Sequence, residues 1–269
     1  SDIVQGDKTG DTPLSDFVKQ YIKVKYNKPG DVFVGTVHRI DRPVSGIVLF
    51  AKTSKALARL NQMFQTKEIQ KTYWAVVKNK PPHKNGKLIH YLKKNEAKNM
   101  SKAFLKETDG ALRCELDYAI IAQSDTYSLL EVHPLTGRHH QIRVQLSAMG
   151  SPIKGDLKYG FDRSNKDASI HLHARKVEFI HPVKKADNRI FRIIERSIFI
   201  PVYSRINHLD IPQSGKPPNK NLLIEMAGCH ETIYIAGILL YSPPSLRNTT
   251  LVQIINPYLL ILYGTYDRR

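Results

Sequence analysis

At 269 residues and 30.7 kDa the chain can hold one sizeable core, or one core and a smaller unit. It carries 41 Lys and Arg against 24 Asp and Glu, a formal net charge of +17 and a pI of about 9.8, which turns attention from cationic partners to polyanions, nucleic acid foremost. Two distant cysteines, Cys114 and Cys229, with no C-x-x-C spacing, argue against a disulfide framework or a zinc site and fit a reducing, cytoplasmic setting.

Thr12-Pro13 predicts a helix start, with Thr12 as the cap and Pro13 in the first helical position. Leu14, Phe17, Val18, Tyr21 and Ile22 then recur at helical spacing as one apolar face. Lys28-Pro29-Gly30 is a turn. It leads to the densest polar stretch of the chain, Val37-His38-Arg39-Ile40-Asp41-Arg42-Pro43-Val44-Ser45-Gly46, which runs into the unbroken apolar segment Ile47 to Phe50, a buried strand by its composition. An aspartate flanked by two arginines at a strand mouth has two explanations. Asp41 either caps a turn and pairs with Arg42, or is a catalytic carboxylate kept ionised by guanidinium groups.

Ser54 is the expected cap of a second helix, with Leu57, Leu60 and Phe64 as its buried stripe. Lys71 to Val77 reads as a strand in which Tyr73, Ala75 and Val77 share a face. Residues 78–110 are rich in Lys, Asn, Gly and Pro and are expected to form a solvated excursion with a hairpin around Lys102-Ala103-Phe104-Leu105. Its lysines 93, 94, 98, 102 and 106 are candidate phosphate contacts. Leu112 to Ala122 and Tyr127 to His133 form a hairpin-like strand pair.

The second dense motif is Pro134-Leu135-Thr136-Gly137-Arg138-His139-His140-Gln141-Ile142-Arg143-Val144-Gln145-Leu146. Thr136-Gly137 is a plausible helix cap, which would put Arg138, His139, His140 and Arg143 in the first two turns, with Ile142, Leu146 and Met149 buried. The segment 150–160 and the strand-like His171 to Pro182 follow. Beyond residue 186 the character changes. Residues 1–186 hold 24 Lys and 8 Arg, residues 187–269 hold 2 and 7, and net charge drops from +14 to +3. Pro-Pro breaks stand at 217–218 and 243–244, and the apolar runs Ile233 to Tyr241 and Leu259 to Tyr263 are too short to span a bilayer. The expected organisation is a domain over 1–186 and an unassigned, poorly packed extension over 187–269 whose removal spares the catalytic centre.

Several of these strings resemble, in order, the motifs of the RluA-type pseudouridine synthases. Residues 38–52 follow H-R-L-D-R-x-T-S-G-L-L-L-x-A-K, with Ile40 for Leu and Val44 for Thr. Lys71 and Tyr73 match K-x-Y. Residues 134–146 resemble L-x-T-G-R-x-H-Q-I-R-x-H-L with Gln145 for the second His. Residues 150–160 match G-x-P-I-x-G-D-x-x-Y-G, and 172–182 match L-H-A-x-x-L-x-F-x-H-P. The resemblance spans about 5–182, begins near the end of an opening stretch N-K-P-x-G-x-x-V-H, and lacks the strands that precede that stretch in the family.

The resemblance implies an α+β fold with a mixed, mainly antiparallel sheet and flanking helices. It implies an RNA pseudouridine synthase: Asp41 as the catalytic carboxylate, Tyr73 as the active-site tyrosine, Arg143 as the basic partner of Asp41, and Arg39 as a residue that displaces the target base. His38, Arg42, Arg138 and His140 are further expected substrate contacts. Moving uracil from N1 to C5 attachment is an isomerisation, so no metal, nucleotide or redox cofactor is required. The expected partner is ribosomal or transfer RNA, bound by a monomer with no membrane association. Two alternatives remain: an RNA-binding protein with impaired catalysis, and a metal-dependent hydrolase using Asp41, Asp156 and the histidines, whose spacing fits no ligand pattern.

Overall fold

A computed structural model describes residues 11–180 and four later strand segments, 190–194, 224–226, 250–256 and 259–264. In chain order the first elements are α1 (Leu14–Lys25), β1 (Gly35–Thr36), β2 (Ser45–Ala51), α2 (Ser54–Gln65), β3 (Gln70–Lys78), β4 (Asn85–Asn95) and β5 (Met100–Phe104). Then follow β6 (Leu112–Gln123), β7 (Tyr127–Pro134), α3 (Gln141–Ala148), a 3-10 turn (Leu157–Tyr159) and β8 (Leu172–Ile180). The later strands are β9 (Ile190–Ile194), β10 (Ile224–Met226), β11 (Thr250–Asn256) and β12 (Leu259–Gly264). Two compact units result. One holds α1, β1, β2, α2, β8 from Lys176 onward and β9 to β12; the other holds β3 to β7, α3 and the start of β8.

In the first unit β2 is apolar at every position from Ile47 to Ala51, and every one of those residues is at most 2 % exposed. Such a run needs cover on both sides of the strand. One cover is α1, whose Val18 and Ile22 pack with Val48 and Phe50, with Ile40 and Val34 leaning on the same cluster. Beside β2, β1 approaches α2 so closely that a Cβ on Gly35 would sit 2.8 Å from the Leu57 side chain. Both helix starts differ from expectation. Pro13 is itself the α1 cap position and no side chain caps that helix. The α2 cap is Thr53, whose Oγ1 accepts the Ala56 N–H at 3.1 Å. Either of two adjacent hydroxyl residues could cap α2, and an extended backbone at Thr53 decided it.

β12 runs antiparallel along β2 from Leu259 opposite Ala51 to Gly264 opposite Gly46, and β11 pairs with β12. β9 pairs with β8 from Lys176 to Ile180, and β10 with β9. The run Leu259 to Tyr263 is thus a strand, whereas Ile233 to Tyr241 and the Pro-Pro breaks lie outside the described residues, as do Cys229 and most of 187–269.

The second unit is an antiparallel sheet in the order β3-β7-β6-β4-β5. The expected mainly antiparallel sheet with flanking helices is present. Residues 78–110 depart from the solvated excursion expected of them. β4 is a full member of the sheet, paired with β6 from Asn85–Ala119 to Leu92–Leu112 and with β5 on its other side. An outward apolar residue and an inward polar one masked its period: His90 and Leu92 are buried while Lys87, Ile89 and Lys93 are exposed. Leu92 and Cys114 form a core with Val144 of α3 and Tyr159.

Candidate functional site

The Asp41 loop belongs to the first unit and is pinned at several points. Ile40 packs on the α1–β2 core, and Val44 is 7 % exposed. Between them the Asp41 carbonyl accepts the Val44 N–H at 2.9 Å, closing a turn over Arg42 and Pro43. Upstream, Nε2 of His38 accepts the Leu49 N–H at 3.1 Å, so that nitrogen carries no proton, and the ring packs against Phe64 at 5.3 Å. His38 therefore serves as a brace that ties the loop to β2. The Arg42 guanidinium holds the Asp11 carboxylate, both groups about half exposed. Arg39 is exposed. Asp41 is thus presented at intermediate exposure by a loop whose flanks are fixed in the core.

The remaining expected residues lie in the second unit. Tyr73 is on β3 opposite Val132 of β7, at intermediate exposure. Two residues earlier, Lys71 is buried enough for desolvation to lower its ammonium pKa. The loop after β7 is braced by Thr136 and Gln141. Thr136 Oγ1 accepts the Glu115 N–H at 3.0 Å and donates to Gln141 Oε1 at 2.7 Å. Gln141 Oε1 also accepts the Arg138 N–H at 3.0 Å, and Nε2 donates to the Glu115 carbonyl at 2.9 Å.

That bracing delays the helix. α3 starts at Gln141, with His140 as its cap residue in the left-handed region at φ 52°. Arg138 and His139 therefore precede α3 instead of occupying its first turns, and Thr136-Gly137 is not its cap. The Thr136 hydroxyl is spent on β6 and Gln141, which leaves the loop to turn once more before the helix. Arg138 is exposed. His139 and His140 stack face to face at 3.7 Å. His140 is buried, its Nδ1 lies 2.8 Å from the Tyr159 hydroxyl, and burial, then the nearby Arg143 charge, lower its pKa to about 2. It is a neutral ring turned into the protein.

Arg143 is 5 % exposed and gives a two-pronged contact to Asp156, itself 1 % exposed: Nε to Oδ2 at 2.7 Å and Nη2 to Oδ1 at 2.8 Å. The ring of Tyr159 lies under the guanidinium, 5.1 Å from its carbon. The Tyr159 hydroxyl accepts the Ser101 N–H at 2.8 Å. Sequence reasoning singled out the string 150–160 but gave Asp156 a part only in the hydrolase alternative, and Tyr159 none. A signal was present in Gly155. It has φ +87°, and a Cβ there would lie 2.8 Å from the Ser169 carbonyl, so only glycine allows the turn that delivers Asp156. Gln145, the departure from the family's second His, is wholly buried, with Nε2 3.1 Å from both the Leu88 carbonyl and His90 Nδ1.

Burial raises the thiol of Cys114 to about 11, which makes it a packing residue and not a nucleophile. Among the described residues no three of His, Cys, Asp and Glu are grouped to hold a metal ion, and none of the helices is long and apolar enough to cross a membrane.

Set beside solved structures, the fold is that of a pseudouridylate synthase domain. The human RNA pseudouridylate synthase domain containing 4 superposes with a TM-score of 0.62 over 76 % of this chain and 86 % of that one, at 19 % identity. The family model described as RNA pseudouridylate synthase matches residues 4–148, and the chain belongs to that family. Relatives include a tRNA pseudouridine synthase C from Pectobacterium carotovorum subsp. carotovorum, 33 % identical over 56 % of this chain and 44 % of its own length. A ribosomal large subunit pseudouridine synthase C from Vibrio cholerae serotype O1 is 33 % identical over 62 % of this chain and 54 % of its own. The chain spans about half the length of the curated relatives it matches.

Proposed function

We propose that this chain converts uridine to pseudouridine in ribosomal or transfer RNA, with Asp41 as the reacting carboxylate. The observation that carries this is the family match over residues 4–148, which takes in Asp41, Tyr73 and Arg143 in the family's order. The chemistry accounts for the residue types. Breaking the bond from C1′ to N1 and rejoining uracil through C5 needs an ionised carboxylate close to the ribose. Arg143 is the proposed cationic partner of that carboxylate. Tyr73 offers a flat face to the uracil and a hydroxyl near the proton that must leave C5. The target base leaves its stack first, which costs a few kcal/mol and favours loops or distorted helices.

Arg39, Arg42 and Arg138 are exposed cations on the two motif loops, and they are the proposed RNA contacts together with the lysines of the β4–β5 hairpin. His38 and His140 each commit a ring nitrogen to the protein itself, so their proposed part is to shape the loops that meet RNA. The proposed enzyme is a cytoplasmic monomer.

The test uses RNA carrying tritium at uridine C5, which isomerisation releases to water. Ribosomal large-subunit and transfer RNA transcripts serve as substrates. Asp41→Asn keeps size and most hydrogen bonds, so RNA binding persists while tritium release falls roughly a thousandfold or more. Release by the variant at the wild-type rate would make the carboxylate structural. Binding by the wild-type chain with no release from either RNA would favour the RNA-binding alternative.

A further inference from the structure

We propose that Asp156 and Tyr159 are positioning residues for Arg143, and that Tyr159 makes the placement of Arg143 depend on how the β4–β5 hairpin is seated. This rests on the assignment of Arg143 as the cation that serves the reacting carboxylate.

Asp156 and Tyr159 both hold the guanidinium. The two bonds to Asp156 fix its plane, because a fork meeting a carboxylate side by side allows one relative orientation. The Tyr159 ring, 6 % exposed, limits movement out of that plane. Stability by itself gives little reason to keep such a pair, since desolvating two charges offsets most of their attraction. Orientation does give a reason: a cation serving a reacting group must point one way.

The hydroxyl of Tyr159 then links this clamp to a different part of the sheet. It accepts the N–H of Ser101 on β5, whose strand partner is β4, so a backbone donor on the other edge of β5 is satisfied by Tyr159. A hydroxyl that accepts from Ser101 has its own proton left for His140 Nδ1, the residue that caps α3. Further contacts fasten the same end of the hairpin. Ser101 Oγ donates to the His139 carbonyl at 2.9 Å, Asn99 Oδ1 lies 3.0 Å from His139 Nε2, and Lys158 donates to the Asn99 carbonyl at 3.1 Å. The hairpin's outer side carries Lys93 and Lys102 directly opposite one another, both exposed. RNA that draws the hairpin in or out shifts the Ser101 N–H. With it move the tyrosine and the floor under Arg143.

The experiment compares the 269-residue chain with Asp156→Asn and Tyr159→Phe, the second keeping the ring and losing only the hydroxyl. The first readout needs no activity: the Arg143 Nε–H proton in an NMR spectrum, identified by its loss in Arg143→Lys. It should exchange slowly with water in the wild type, rapidly in Asp156→Asn, and faster than wild type in Tyr159→Phe, where the Ser101 amide should also lose protection. The second readout is single-turnover tritium release from the two transcripts, per folded molecule. We expect it to fall roughly ten- to a hundredfold in Asp156→Asn and severalfold in Tyr159→Phe, with RNA Kd within about twofold of wild type. Unchanged Arg143 exchange in both variants would overturn the proposal, as would a rate loss carried wholly by RNA affinity or by the unfolded fraction. If the wild-type chain releases no tritium, the proposed activity fails on its own, and the exchange measurement still decides the clamp.

Discussion

Arg143 holds the buried carboxylate of Asp156, and that changes how its substitution should be interpreted. Arg143→Ala strands Asp156, 1 % exposed, without its bidentate partner, at a cost of about 3–5 kcal/mol. Its loss of activity will therefore mix unfolding with chemistry. Arg143→Lys separates the two. The charge remains while the fork is lost, so tritium release should drop well below wild type with a melting temperature that falls far less than in the alanine variant. Equal melting temperatures for the alanine variant and the wild type would show that Asp156 finds other compensation. At Tyr73 the corresponding pair is Phe against Ala. Phe keeps the stacking face and Ala loses it, so RNA containing the target uridine should bind the Ala variant more weakly. Equal affinity would remove the stacking role.

At the scale of an element, the β4–β5 hairpin carries a cost that RNA would relieve. Lys93 and Lys102 face each other across the strand pair, and like charges directly opposite are destabilising. A phosphate between them reverses the sign of that interaction. Replacing both lysines with Ala should raise the melting temperature slightly while flattening the salt dependence of RNA binding, by about 1.4 in the slope of log K against log salt for two lost contacts to a single strand. An unchanged slope would place the RNA away from this hairpin. His139 shows how an element's start alters the chemistry on it. Had α3 begun at Thr136-Gly137, His139 and Arg143 would have shared a helix face. With α3 starting at Gln141, His139 instead stacks on His140 and reaches Ser101 and Asn99 of the hairpin end.

Stability of the whole molecule should depend on pH through three histidines held neutral in the fold. Burial is the first cause for each: His140 is lowered to about 2, His173 to about 3 and His171 to about 4. In the unfolded chain they titrate near 6.5, so below that pH unfolding takes up protons that the native rings refuse. Their contribution is complete above pH 6.5 and lost as pH falls, with a slope of up to about 1.4 kcal/mol per pH unit for each ring. Denaturant unfolding at pH 7, 6 and 5 should show that decline, and a flat profile would mean that the rings protonate inside the fold. The later strands bear on a second property of the whole chain. The composition change near residue 186 favoured an extension that could be cut away, yet β12 lies along β2 from Ala51 to Gly46. Ending the chain at residue 194 would bare that edge, and open strand edges invite aggregation. We expect the shortened chain to be less soluble and less stable than the full one; a monomer of equal stability would show that β12 is dispensable.

The sequence by itself determined what rests on short-range pattern. The apolar run of β2, the apolar stripe of α1 and the β6–β7 hairpin were legible, because each depends on residues within a turn or a strand of one another. By contrast α2 buries Ala56, Leu60 and Met63 and keeps only Leu60 of its expected stripe. The candidacy of Asp41, Tyr73 and Arg143 rested on the family resemblance. Strand period failed in β4, where Ile89 faces out and His90 faces in, since side-chain polarity there runs against the pleat. Helix starts failed by one residue in α2 and by several in α3, because the choice among adjacent hydroxyl residues is made by which backbone groups tertiary packing leaves unpaired. Only the tertiary structure could decide who holds Arg143. Asp156 lies 13 residues away, past the end of the helix, and the Gly155 turn and the seat of Tyr159 on β5 bring it back. Two buried charges must find each other in three dimensions, and no spacing along the chain says that they will.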